Sequence, residues 1–216
     1  MNKTLQWPRP LLSVLATVTL LTALGGCAPL VVGGVATGVL VSADRRTSGT
    51  QLEDEGIELR AANRLRDALG DRGHINITSY SRQVLLTGEV PTDGDRVKVE
   101  QMVGQVENVR SVVNELVVAG NSTLSQRSSD TLITGRVKAS LVDAQDLSIH
   151  AFKVVTERGT VYLMGRVTQR EANRATQIAR TVQGTQRVVR MLEIISEEEL
   201  ARLQPKPAPA AKAAGD

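Results

Sequence analysis

The sequence predicts an α+β chain made of two tandem copies of one small unit. Each copy is a two-layer sandwich of two helices on a three-stranded mixed sheet, in the order αββαβ. Three observations carry this reading. A sixteen-residue window from Ile75 to Val90 lies over a second from Phe152 to Val167, with Val84 on Val161, Leu86 on Leu163, Gly88 on Gly165 and Val90 on Val167. Both windows alternate apolar and polar residues about a polar centre, Tyr80 to Gln83 and Glu157 to Gly159, the pattern of a β-hairpin with one buried face. Helical stripes flank each window on both sides.

The elements follow in order. Ile57, Ala61, Leu65, Ala68 and Leu69 recur at helical spacing before the first hairpin, and Ile133, Val137 and Leu141 do so before the second. After the hairpins come stripes of Val99, Met102, Val103 and Val106, and of Ala172, Ala175, Ile178, Ala179 and Val182. Asp93 or Asp95 is expected to cap one of these later helices, Thr168 the other, and Asp130 the helix through Ile133. Asn108 and Gly184 mark where helices must stop, and strands from Val112 to Val118 and from Val188 to Ile195 close the units. A unit this small is marginal alone, so the copies are expected to pack on one another. The first domain is placed at 54–120, a Ser/Asn-rich linker at 121–129 and the second domain at 130–196. A Pro/Ala-rich tail is placed at 197–216, in which Glu197 to Leu203 can extend a helix and Pro205 to Asp216 is expected to be disordered.

These units resemble the BON domain. The marks are hairpins ending Leu86-Thr-Gly-Glu-Val90 and Leu163-Met-Gly-Arg-Val167, then a helix, then Val106, Val109, Val112, Val113, Asn114, Glu115 and Leu116. The second copy departs from the pattern at Thr185 and Arg190, which replace Val109 and Asn114.

The N-terminus supplies an address. A short head with Lys3 and Arg9 precedes an apolar run from Leu11 to Leu24, then Gly25, Gly26 and Cys27, the single cysteine. A positive head, an apolar stretch and small residues before a cut describe a secretory signal. The run is shorter than the ~20 residues a spanning helix needs. The sequence Leu24-Gly-Gly-Cys27 resembles a bacterial lipoprotein signal, which implies removal of residues 1–26. It also implies covalent diacylglycerol and N-acyl chains on Cys27, with no other cofactor. Ala28 rather than Asp after the cysteine implies delivery to the outer membrane. Residues 27–53 then form a tether, either flexible or with Leu30 to Val41 lying at the membrane interface or packing on a domain.

Composition narrows the function. Removing Lys3 and Arg9 lowers the net charge from +3 to +1, and aromatic residues make up 2% of the chain. No nucleic-acid partner is expected, because there is neither a basic block nor a stacking platform. With Cys27 assigned, no disulfide is available. His74 and His150 sit at matching positions before each hairpin, where a solvated or capping role is the plain reading and no metal site is expected. Ser140, Asp146 and His150 match no nucleophile motif, so no catalytic residues are expected.

One helix stands apart. Around Ile133, Val137 and Leu141, which should face the sheet, Leu132, Gly135, Arg136, Ala139 and Val142 are left outside. Apolar groups beside Arg136 and Lys138 fit either a solvated face or an interfacial helix meeting anionic headgroups. The matching face of the first unit carries Glu58, Arg60, Asn63, Arg64, Arg66 and Asp67 and reads as too polar for this.

The order of lipobox and two such domains resembles the dual-BON outer-membrane lipoproteins of proteobacteria, as do Gly49 to Asp54 and Val154 to Glu157. That resemblance implies a non-enzymatic protein on the periplasmic face, anchored by Cys27. It implies that Leu132, Ile133, Gly135, Arg136, Ala139 and Val142 bind anionic phospholipid, in support of envelope integrity and at division sites. A tryptophan near the start of this helix marks those proteins, and Leu132 takes its place here. The alternatives are an adaptor for an envelope or cell-wall-remodelling protein partner, or a periplasmic chaperone.

Overall fold

Thr47, itself in extended backbone, starts a helix by accepting a hydrogen bond from the Thr50 backbone at 3.2 Å. The helix it starts, α1 (Ser48–Leu69), is the first described element in the computed structural model, which describes residues 44–70 and 72–203, so residues 48–53, expected in the tether, are helical. Its inner stripe of Ile57, Ala61, Leu65 and Leu69 is buried as the periodicity requires. Strands β1 (His74–Tyr80) and β2 (Gln83–Val90) form an antiparallel hairpin. Its two-residue turn holds Ser81 and Arg82 at φ 50° and 66°, the left-handed pair that matches strand twist. Helix α2 (Asp93–Gly104) follows, then β3 (Ser111–Asn114) and β4 (Val117–Val118), both parallel to β2.

The second copy repeats this plan. It contains α3 (Leu124–Asp143), a 3₁₀ turn at Ile149–Ala151, β5 (Phe152–Glu157), β6 (Thr160–Thr168), α4 (Gln169–Thr181) and β7 (Arg187–Ile195). Sheet order is β5-β6-β7, antiparallel then parallel. A short α5 (Glu197–Leu203) adds a turn beyond the unit. The fold is therefore α+β with two tandem αββαβ units, as the repeat predicts. Asn108 and Gly184, the expected helix stops, both take positive φ, 66° and 98°.

Four other local expectations change. The strand expected at Val112–Val118 is broken at Glu115 and Leu116. Leu116 turns inward to 4% exposure, and its backbone N–H donates to the Asn114 side chain at 3.2 Å. Helix α2 is capped by Thr92 rather than by Asp93 or Asp95. Asp95 instead donates its backbone N–H to the threonine oxygen and accepts from its hydroxyl. Helix α3 begins six residues before Asp130, because Thr123 and Gln126 close a reciprocal capping box there. Residues 124–129, expected in the linker, are therefore helical.

The fourth change concerns the hairpins. Each should have one buried face, yet β2 and β6 are buried on both. Val84, Leu86 and Val90 enter the core beneath α1 and α2, and Val161, Leu163 and Val167 the core beneath α3 and α4. The alternate residues Leu85, Tyr162 and Met164 join Tyr80 and Met191 in a third cluster. That cluster is where the helix-free faces of the two sheets meet. The expected packing of one copy on the other is thus a sheet-to-sheet seam. Met164 is fully buried there. Its truncation to alanine is expected to cost about 2–4 kcal/mol in a urea titration, whereas a cost under about 1 kcal/mol would mean the seam closes over the gap.

Candidate functional site

Helix α3 is positioned by its buried edge. Ile133, Val137 and Leu141 fix its rotation against the second sheet, at 4%, 0% and 0% exposure. Asp130, inside the helix and 6% exposed, accepts from the backbone N–H groups of Arg158 and Gly159, both at 2.9 Å. The helix is thereby tied to the β5–β6 turn. Thr134 adds a hydroxyl hydrogen bond to Thr156 at 2.7 Å. With the rotation fixed, the opposite face is solvent-exposed: Leu132 at 60%, Val142 at 57%, with Gly135 and Ala139 between them. A side chain added at Gly135 would meet nothing within 4 Å, so the middle of the face is flat and open. Arg136 and Lys138 flank this stripe on either side and are exposed. The Arg136 guanidinium is held loosely, by the Gln183 carbonyl at 3.4 Å.

Of the six residues expected on the lipid face, five share this surface and Ile133 does not. Its Cβ direction follows Val137 and Leu141 into the core, so it supports the face from beneath. The structure adds Leu124, 80% exposed and about two turns upstream of Leu132 on the same face. The sequence signal for it is Thr123 with Gln126 three residues later, a capping box that starts the helix early.

The first unit differs less than expected. On α1 the equivalent outer face carries Gly56 where α3 has Leu132, and Asn63 and Arg66 where α3 has Ala139 and Val142. Its N-terminal half nevertheless exposes Leu52 at 70% and Leu59 at 63%. The face expected to be too polar for an interfacial role thus also carries two exposed leucines.

The two units also meet through ionised groups behind α3. Glu89 is wholly buried, yet accepts from Arg158 at 3.0 Å and from the Ser122 backbone at 3.1 Å, with His74 Nδ1 at 3.5 Å. Burial opposes its ionisation, but the Ser122 and Arg158 hydrogen bonds outweigh it and hold the carboxyl below its ordinary range. Glu157, bonded by Asn76 at 2.7 Å, is pushed the other way by burial and by the charges of Glu89 and Asp130. Lys153 crosses the same joint to Glu58 at 3.0 Å. These pairs hold the domains in place, and His74, Asn76, Asp130 and Glu157 line an open cleft of about 370 Å³ beside α3 together with Arg127 and Thr134.

His150 is exposed in the 3₁₀ turn, and Asp146 faces Arg174 at 3.4 Å rather than the histidine. Among the described residues no group of three His, Cys, Asp or Glu side chains could hold a metal ion. No described helix is long and apolar enough to cross a membrane. Cys27 and the residues to 43, together with the tail from 204, lie outside the described residues.

Comparison with known proteins agrees with this architecture. The model of the BON domain matches residues 53–120 and 129–196, and the chain belongs to that family. It is 35% identical over 174 residues to the outer membrane lipoprotein DolP of Haemophilus influenzae, covering 80% of this chain and 90% of that protein. It is 32% identical to a 21 kDa hemolysin of Actinobacillus pleuropneumoniae, over 70% of this chain and 79% of that one. It is 28% identical to the osmotically-inducible protein Y of Escherichia coli, over 70% and 77%.

Proposed function

We propose that the protein is a non-enzymatic lipoprotein of the outer membrane, facing the periplasm, whose second BON domain binds anionic phospholipid through the outer face of α3. The observation that carries this reading is the exposed stripe of Leu124, Leu132 and Val142 between Arg136 and Lys138 on a rotationally fixed helix. Apolar side chains enter the acyl boundary while the cations stay among anionic headgroups. Acyl chains on Cys27 hold the protein at the bilayer, so the domain contact works at high local lipid concentration and need not be strong. The similarity to an outer membrane lipoprotein over most of both chains supports the address. The role that follows is maintenance of the envelope, including at sites of division.

The test is vesicle sedimentation with an unacylated Cys27→Ser chain. Binding to vesicles containing phosphatidylglycerol should exceed binding to neutral phosphatidylcholine vesicles. Leu132→Glu should weaken it about tenfold or more, the scale of one apolar side chain withdrawn from hydrocarbon plus a repelled charge. Equal binding to both vesicles, or no effect of Leu132→Glu, would sink the reading.

A second reading has one observation in its favour. Leu52 and Leu59 form an exposed pair on α1, and a protein-interaction adaptor would use such a surface. Leu59→Glu would then abolish capture of a protein partner while leaving vesicle binding intact.

A further inference from the structure

Two consecutive arginines lie just before α1, inside the stretch 27–53 expected to be a tether, and each is bound to a different domain. The Arg45 guanidinium donates to both carboxylate oxygens of Glu171, at 2.7 and 2.8 Å, and to the Arg166 carbonyl at 3.0 Å. Its side chain is 9% exposed and that of Glu171 is 4%. Arg46 points the other way. It donates to Asp54 at 2.7 Å, pairs with Asp44 at 2.6 Å and lies 4.2 Å over the Tyr80 ring, which belongs to the seam between the sheets.

Glu171 does not need Arg45 to do its local work. As the N3 residue of α4 it already closes a capping box, accepting from the Thr168 backbone at 2.9 Å. In the first domain the N3 acid of α2, Asp95, has its cation in Arg72, at 3.7 Å, and that arginine is 58% exposed. The buried bidentate pair is therefore an asymmetry between the repeats, made by a residue outside both of them. Bidentate arginine–carboxylate pairs are among the strongest and most directional polar contacts available.

We propose that Arg45 and Arg46 form a two-pronged latch that fixes the end of the tether across both domains, and so sets the orientation in which α3 meets the bilayer. Covalently the tether enters through α1 of the first domain. The Arg45 prong adds a hold on α4, which packs beside α3 in the second. The tether from Cys27 spans at most about 60 Å, so the side of the body to which its end is fastened decides which face is presented to the membrane. This inference rests on the phospholipid reading of α3.

Glu171→Gln is the informative variant, because glutamine keeps the capping box and removes the charge. Two readouts separate the latch from the lipid site. Trypsin cleavage after Arg45 and Arg46 in the full chain should be roughly tenfold faster in Glu171→Gln, since cleavage follows the open population. Next, the acylated chain is placed in vesicles containing phosphatidylglycerol and brominated lipid, with a dye on Ser125→Cys, an exposed position in the first turn of α3, apart from the residues assigned to lipid, and the free thiol once Cys27 is acylated. Quenching should fall by at least half in Glu171→Gln. The unacylated Cys27→Ser chain should bind the same vesicles equally well with or without Glu171→Gln, because no tether then orients it. Equal trypsin rates, or equal quenching, would overturn the latch. Loss of binding in the unacylated Glu171→Gln chain would also overturn it, since the residue would then serve the domain and not its orientation. If the unacylated wild-type chain fails to bind anionic vesicles at all, the phospholipid reading fails, and the trypsin comparison still decides whether the latch exists.

Discussion

Alanine at Gly88 is expected to unfold the first domain, and alanine at Gly165 the second. A Cβ at Gly88 would lie 2.0 Å from the His74 carbonyl oxygen and 3.0 Å from its carbon. Gly88 also sits at φ 108°, a region that side chains other than hydrogen rarely enter. At Gly165 the Cβ would lie 2.3 Å from the Ala151 carbonyl oxygen. Each obstacle is backbone, on the residue just before the strand partner of the glycine, Ile75 in one unit and Phe152 in the other. The strand cannot move away, since Val90 and Val167 are buried two residues beyond. Relief therefore requires breaking the ladder, at a cost of about 4 kcal/mol or more. That is comparable with the whole stability of a small domain. Urea titration followed by circular dichroism should show a lost or strongly lowered transition. A wild-type midpoint in either variant would mean that the close approach is not fixed.

The same two glycines show how much of the fold is legible in the sequence. The repeat places Gly88 on Gly165, and the physical reason for the match is a backbone contact that occurs twice. Hairpins, helix stripes and strand order are legible because each depends on spacing within about 20 residues. The seam is harder to read, because Tyr80, Leu85, Tyr162, Met164 and Met191 are far apart in the chain. One cue exists: Val161 to Met164 is an unbroken apolar run, the mark of a strand buried on both faces, where alternation alone suggests one.

The site is legible in part for similar reasons. Helical spacing puts Leu132, Gly135, Ala139 and Val142 on one face, and the face is as expected. Leu124 escapes sequence reasoning because Asp130 has the look of a cap, the usual role of an acid before an apolar stripe. Arg45 and Arg46 escape it because their partners, Glu171 and Asp54, are 126 and 8 residues away and neither spacing forms a local pattern.

Asp54→Ala is expected to be the most damaging change of a polar side chain, and its effect should depend on pH. Asp54 is 2% exposed and occupies the place in α1 that Asp130 occupies in α3. Its carboxylate accepts from the Ser79 hydroxyl at 2.7 Å, from the Ser81 and Arg82 backbone N–H groups at 2.8 Å each, and from Arg46 at 2.7 Å. It thus binds the left-handed turn of the first hairpin to the helix. Alanine leaves four donors without this partner, a loss of about 3 kcal/mol. Asp130→Ala, which frees two, should cost less. Burial opposes ionisation of Asp54, but the hydrogen bonds from Ser79, Arg82, Ser81 and Arg46 prevail and hold its pKa below the ordinary 3.8. A carboxyl depressed in the folded state stabilises the fold above its unfolded value, and that stability is lost as pH falls through the folded value. Glu89 and Glu171 are depressed as well and act in the same direction. Glu157, raised by burial, acts in the opposite direction and destabilises as pH rises past its unfolded value. Between wild type and Asp54→Ala, the difference in urea stability should therefore be full at pH 7. It should narrow as the pH is taken below about 4. A difference that stays constant down to pH 3 would show that the Asp54 charge contributes nothing and that only its shape matters.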